Sequence, residues 1–396
     1  MVRLTTLVCL ALASFASATP IVKRAAPGTA IDGQYIVTFK KSTSFAPRDV
    51  DAMIGNLLGA PKGLKAGPAP GLLQKYDFGS DFQGFAAKIS DEATLERIKA
   101  NSEVLAIEED AIITIDGTQT GLPTGLWGLD AIDGKVDRTF TYPDAAGAGV
   151  DAYIVDTGCN TAHVDFEGRA KWGASFTGET SRTDGNGHGT HVAGTVGGRT
   201  YGVAKKVNLI CVRVLSATGS GSTSGVVAGM NWVVSQARAS GRKSVANMSL
   251  GGGKATSIDQ AATAMVNAGV ALAVAAGNDE TIDACNQSPA GATGPLTVAA
   301  SDSGNRIATF SSTGRCVEII APGVNILSAW KGSSTATSTI SGTSMASPHV
   351  AGALAVAYST QSFSSPAQAY AFLLNKAKKN AITRVPAGTT NTFLQL

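Results

Sequence analysis

The chain predicts an α/β fold, a parallel sheet with helices on both faces, preceded by a small α+β unit. Three observations predict it. Past residue 126, apolar stretches of strand length alternate with stretches of helical periodicity, the order that builds parallel sheets. Ahead of them, residues 33 to 116 carry short alternating strands and one acid-started helix, and the polar, glycine- and threonine-rich stretch Asp116 to Thr124 separates the two parts. The 396 residues are 44% hydrophobic and 15% charged, with 46 glycines, which describes packed globular structure with many tight turns.

In order, the chain opens on a segment suited to export. Met1 to Ala18 has one early arginine, the apolar run Leu4 to Ala13, and then Ala16-Ser17-Ala18. That is the plan of a secretory signal peptide with a small-residue cleavage site, too short for a membrane anchor. No later apolar run reaches transmembrane length, so a secreted, soluble product without a membrane partner is expected. Lys23-Arg24 reads equally as a processing site or a solvated charge pair. In the smaller unit, Gln34 to Phe39 and Gly84 to Ile89 read as strands and Asp91 to Lys99 as a helix. Val104 to Ile113 supplies closing strands, and Gly59 to Gly71 is a loop.

In the larger unit, Val150 to Asp156 is a buried strand ending in an acid and a glycine turn. Asp184 to Thr195 is a glycine loop feeding a helix with His188 near its start. Asn208 to Leu215, Ser244 to Leu250, Val270 to Gly277 and Leu296 to Ser301 are apolar strands; Ser224 to Ser240 and Ser257 to Ala268 are helical. Gly342 to Val350 begins with glycine and hydroxyl residues and runs into the apolar stretch Ala351 to Ala357, placing Ser344 at a helix N-terminus. In open parallel sheets the site forms at the carboxyl ends of the strands. Asp156 ends a strand while His188 and Ser344 begin helices, so all three belong on that rim.

The net charge of +3 is too small to argue for nucleic acid, and no basic run interleaves with aromatics. Ser344 sits where unpaired N–H groups and the helix dipole favour negative charge, as an oxyanion would need; alone it reads as an N-cap. A serine nucleophile requires a base, and the chain has four histidines, His163, His188, His191 and His349. His188 and His191 lie three apart, and spacing does not choose between them. Zinc is excluded for this pair, because helical histidine ligands stand at i, i+4 with a glutamate between. Asn278 follows the strand Val270 to Gly277 and can point an amide into the site. With Cys9 in the signal, Cys159, Cys211, Cys285 and Cys316 remain; two disulfides are expected, in any of three connectivities.

Acid, histidine and serine in this chain order, within Val150 to Gly158, Asp184 to Thr195 and Gly342 to Val350, resemble the subtilisin-like serine proteases. The wording of the chain is nearest to the secreted fungal type of the proteinase K subfamily, from about Trp127 to Leu374. The resemblance implies a seven-stranded parallel sheet, an Asp156–His188–Ser344 triad with His188 as base, and Asn278 as oxyanion donor. It leaves His163, His191 and His349 structural. It lines the substrate groove with Gly219-Ser220-Gly221 and Ser249-Leu250-Gly251, whose bare backbone suits strand addition. Ala275 to Gly277, here Ala275, Ala276 and Gly277, form one wall of the specificity pocket. No acid stands in these segments, so broad cleavage of proteins and peptides after apolar or aromatic residues is expected.

The resemblance also implies a Cys285–Cys316 bridge, with Cys159 and Cys211 left for each other, either bridged or as free buried thiols. Catalysis would need no cofactor, and a structural calcium would take the carbonyls of Thr293 and Pro295 with Glu318, where the family carries Asp. The implied division is a signal peptide over 1–18, an inhibitory propeptide over 19–119 and a catalytic domain over 120–396, acting as a monomer. The propeptide would serve as intramolecular chaperone and inhibitor, with self-cleavage between about Asp116 and Thr120. A lipase is disfavoured because Ser344 lacks a Gly-x-Ser-x-Gly elbow. A catalytically silent binding module is the remaining alternative.

Overall fold

The computed structural model describes residues 21–22, 30–40, 47–59, 70–79, 81–114, 118–119, 126–134 and 138–396. The expected signal peptide, the Lys23-Arg24 pair and residues 116, 117 and 120 of the expected cleavage region lie outside the described residues.

Seven strands form the parallel core of the large sheet, in the order Ala170–Ser175, Asn208–Arg213, Asp151–Asp156, Ser244–Met248, Val270–Ala275, Leu296–Ser301, Ile319–Pro322. Two-residue strands, Thr392–Phe393 and Lys378–Lys379, extend the last edge, the outermost antiparallel. Helices cover both faces, so strands such as Val270–Ala275 are buried throughout and read as continuous apolar runs. The chain starts this core at Asp151–Asp156, places the next two strands on one side, and then reverses to build the other four on the opposite side. That reversal opens a crevice beyond the carboxyl end of Asp151–Asp156, where ligand sites form in such sheets.

The helix Thr343–Thr360 is buried from Thr343 to Tyr358, and its Ala- and Gly-rich surface packs on several strands at once. The predicted helices appear as Thr223–Ser240 and Thr256–Asn267. Disulfides join Cys159 to Cys211 and Cys285 to Cys316.

The smaller unit is an antiparallel sheet, in the order Val104–Thr114, Ala30–Phe39, Gln83–Lys88, Leu72–Asp77, with Glu92–Lys99 capped by Asp91. Two elements go beyond the sequence reading, the helix Pro47–Leu58 and the strand Leu72–Asp77. Strand alternation splits its faces. Val37 and Phe85 pack with Val50, Ile54 and Leu57 in a core of its own, while Ile36, Tyr76 and Ala86 join the large core. Its acids reach across as well. Glu108 accepts from the N–H groups of Thr256 and Ser257 at 2.8 and 2.7 Å, and Asp110 from that of Ser224 at 2.9 Å. The first of these helices has no side-chain cap from its own N-cap residue, Ala255, so Glu108 supplies what that helix start lacks.

Removing the Cys285–Cys316 bridge, which spans a separation of 31 residues, is expected to lower stability by about 3–4 kcal/mol. The measurement is denaturant unfolding of the double alanine variant with the nucleophile blocked, so that autolysis does not consume the unfolded chain. An unchanged midpoint would show that the bridge does not restrict the unfolded state.

Candidate active site

Asp156 ends its strand fully buried. Its carboxylate accepts the N–H of Thr157 at 2.7 Å and His188 Nδ1 at 2.8 and 3.0 Å through its two oxygens. With Nδ1 turned to the acid, Nε2 is the ring nitrogen left for chemistry; it is buried and has no hydrogen-bond partner among the described residues. His188 is the first residue of the helix His188–Gly197, and its place is set by a residue the sequence reading quoted but gave no role, Asp184. One Asp184 oxygen accepts from Asn186 N–H, Gly187 N–H and the Thr157 hydroxyl; the other accepts from the N–H and hydroxyl of Thr190. This carboxylate caps the helix and ties it to the strand end beside Asp156. Gly189 sits so close that a β-carbon there would overlap the Gly158 carbonyl. Both signals were readable: an acid four residues before the helix and a glycine after its first histidine.

Ser344 is the second residue of Thr343–Thr360, so its N–H belongs to a first turn without intrahelical acceptors. Pro348, four residues on, has no N–H to give the Ser344 carbonyl. That carbonyl instead accepts the Ser249 hydroxyl at 2.7 Å, and Ser249 is itself held by the Asn247 amide at 2.8 Å. The Ser344 hydroxyl donates to the Ser249 carbonyl at 3.2 Å. Asn278 Oδ1 accepts from the N–H and hydroxyl of Thr343 at 2.8 and 2.9 Å, which orients the amide and makes Nδ2 its donor end.

The other histidines face elsewhere. His191 bonds the Ile326 carbonyl at 2.9 Å, stacks edge-on to Trp330, and burial pushes its pKa down to about 3. His349 bonds the Met345 carbonyl at 2.8 Å and is pushed down to about 4 by burial. His163 bonds the Ala336 carbonyl at 2.8 Å. Asn247, which with Met248 and Ser249 spells an N-x-Ser glycosylation sequon, is buried and bonded to Ser249 and Ser347, out of reach of glycosylation.

One expected groove edge is occupied. Ser220–Ser222 pairs antiparallel with residues 112–114 of the smaller unit, with Gly221 opposite residue 113. The other expected edge runs beside a short strand pair. Ser249 and Leu250 are buried, and Gly252–Gly253 pairs with Gln287–Ser288, leaving Gly251 half-buried at the turn between them. Ala275 is buried, and Gly277 has a φ of 111° with the Gln287 amide where a β-carbon would stand. On the far side of Ser344, Thr118–Gln119 pairs antiparallel with Ser341 and Ile340.

The residues expected to hold calcium do not fit a divalent ion as arranged. Glu318 spends one oxygen on the Thr297 N–H at 2.6 Å, and burial pushes its pKa up to about 7. The Thr293 carbonyl already accepts the Thr263 hydroxyl at 2.5 Å. Among the described residues no group of three or more His, Cys, Asp or Glu side chains gathers as a metal site would.

Residues 147–392 match the Subtilase family, and residues 34–116 match the Peptidase inhibitor I9 family. The first match runs past Leu374, where the sequence resemblance had been expected to end. Alkaline protease 2 of Aspergillus fumigatus is 44% identical over 347 residues, covering 81% of this chain and 70% of that protein. A cuticle-degrading serine protease of Arthrobotrys oligospora is 44% identical over 355 residues, covering 86% and 85%. The crystal structure of a cold adapted subtilisin-like serine proteinase aligns with a TM-score of 0.65 at 44% identity, covering 69% of this chain and 98% of that one.

Glu318 yields a pH test. Its folded pKa, about 7, stands above the usual 4.5, so its stabilising contribution is complete below about 4.5 and is lost as pH rises through 7. Glu318→Gln is therefore expected to melt with the parent at pH 4 and above it at pH 8, by roughly 2–5 °C. A variant that melts below the parent at pH 8 would mean the ionised carboxylate has a stabilising partner.

Proposed function

Since the chain belongs to the subtilase family and is a serine endopeptidase, we propose that Asp156, His188 and Ser344 are its triad, and that it is made as a secreted zymogen that cuts itself. The observation that carries this reading is the course of the chain beside Ser344. Residues 112–114 pair on Ser220–Ser222, and 118–119 pair on Ser341 and Ile340, so one polypeptide approaches and leaves the serine as a substrate would. The bond to be cut then falls between residues 114 and 118, which overlaps the expected Asp116 to Thr120 interval between Asp116 and Thr118.

In the proposed mechanism Ser344 Oγ attacks the carbonyl carbon and His188 Nε2 takes its proton. Asp156 keeps Nδ1 protonated and stabilises the imidazolium. The oxyanion meets Asn278 Nδ2 and the N–H of Ser344, donors already oriented before the charge develops. His188 returns the proton to the leaving amine, and water repeats the sequence on the acyl-enzyme. No step needs a cofactor, and calcium at Thr293, Pro295 and Glu318 is not part of the proposal. The Gly219–Gly221 and Gly251 backbones hold the substrate strand, and Ala275 with Gly277 wall an apolar pocket for the residue before the cut. The signal at 1–18, the propeptide at 19–119 and a monomeric catalytic domain at 120–396 complete the reading, with the propeptide as chaperone and inhibitor.

Ser344→Ala and His188→Ala are each expected to lower kcat about a million-fold, because triad members act as a unit. Asn278→Ala should cost roughly 10²- to 10³-fold, and His191→Ala should stay active. A dead His191→Ala beside a live His188→Ala would reassign the base. Expressed in a host without processing proteases, Ser344→Ala should accumulate as intact proform while the parent is shortened near Asp116. Cleavage of the Ser344→Ala chain at that point would mean that another protease matures it.

A further inference from the structure

The strand Thr337–Ser341 leads into the turn that carries Ser344, and on its edge Ser341 stands opposite residue 118 and Ile340 opposite residue 119. Directly opposed residues of an antiparallel pair share a face, and neighbours along a strand alternate between faces. Ile340 is buried beside its own partner, Ile326. Ser341 lines a cleft of about 430 Å³. A substrate leaving in this register turns the residue opposite Ser341 toward that cleft.

The cleft walls include Phe310, Asp302, Arg306 and Arg384. Asp302 and Arg306 neutralise each other through two contacts of 2.8 Å. Arg384 is exposed, and among the described residues its guanidinium has no ion-pair or hydrogen-bond partner, so the walls carry one net positive charge. The chain just before it is held in place. Thr383 gives its N–H and hydroxyl to the Asn305 carbonyl at 2.8 and 3.1 Å, and the Ile307 N–H donates to the Thr383 carbonyl at 3.0 Å. Arg384 itself has a φ of 61°, a region non-glycine residues enter rarely. The backbone that carries this cation is thus fixed at the cleft, and among the described residues the cation has no carboxylate of its own.

We propose that this cleft is a subsite for the leaving half of the substrate and that Arg384 makes it select an acidic side chain. The proposal rests on Ser344 being the nucleophile and on the Thr337–Ser341 edge guiding the leaving half. An aspartate or glutamate there meets one net positive charge beside the Phe310 ring, and a lysine meets repulsion. Because Arg384 is exposed, the preference is modest and weakens as salt screens it.

The test uses the self-processed enzyme from the full chain and internally quenched peptides with Ala, Asp, Asn or Lys at each of the first three positions after the cut. At low salt, kcat/KM for Asp should exceed that for Lys roughly three- to fivefold at one position only, and the ratio should fall toward one in 1 M salt. Arg384→Gln should bring that ratio to one, and Arg384→Glu should invert it. A parent that cleaves the alanine peptide yet treats Asp and Lys alike overturns the subsite alone. So does a ratio that Arg384→Glu leaves unchanged. A parent that cleaves none of the peptides and does not react with a fluorophosphonate overturns the peptidase reading, and the subsite with it.

Discussion

N–H groups at the starts of four helices have no acceptor within their own helix, and the arrangement of the molecule follows from which side chains accept from them. Asp184 takes those beginning His188–Gly197, and Asn278 takes that of Thr343. Glu108 and Asp110 take those beginning Thr256–Asn267 and Thr223–Ser240. Each contact places negative charge or a carbonyl at the positive end of a helix dipole. The first two fix the histidine and serine relative to the strand ends. The last two come from the other unit, so the inhibitor-like sheet and the parallel sheet are joined by the same interaction that builds the site.

This division bears on folding. A parallel sheet pairs strands far apart in sequence, as where Asp151–Asp156 neighbours Ser244–Met248, so loop entropy is lost before contacts repay it. Helices that will cover such a sheet gain from caps supplied in advance. The smaller unit has its own core around Phe85 and Ile107, and it presents Glu108 and Asp110 on the strand that also pairs with Ser220–Ser222. Recognition of the helix ends and the pairing on Ser220–Ser222 therefore come from one strand, Val104–Thr114.

Much of this was legible in the sequence, for identifiable reasons. Five strands of the parallel core were readable because burial on both faces leaves unbroken apolar runs, and the helix starts because glycine and hydroxyl residues precede small apolar ones; Ala170–Ser175, only partly buried, and the four-residue Ile319–Pro322 were not read. Pro47–Leu58 was missed although Val50, Met53, Ile54, Leu57 and Leu58 recur at helical spacing, because glycine- and proline-rich sequence follows directly. The local bonding around Ser249 was not readable for a different reason. Nothing local in Ser249 to Gly253 reveals that Pro348, a hundred residues on, strips a hydrogen bond from the Ser344 carbonyl and that Ser249 must restore it. Asp184 was overlooked because a loop aspartate before a helix is ordinary, and its importance comes from Thr157 and Thr190 converging on it.

The site also follows from the cost of burying polar atoms. Asp156, His188 and Ser344 are 0%, 3% and 2% exposed, so each polar atom that lacks a partner is expensive. The protein meets that cost almost everywhere nearby. Both Asp156 oxygens bond the imidazole, Thr343 saturates Asn278 Oδ1, and Ser249 serves both the carbonyl and the hydroxyl of Ser344. Among the described residues, His188 Nε2 has no hydrogen-bond partner. A satisfied Nε2 would stabilise the resting protein more, but it would then have to give up that partner before accepting a proton. In the proposed mechanism, leaving it unpaired keeps the base ready where the serine proton would go, at a cost that the dense bonding around it can bear.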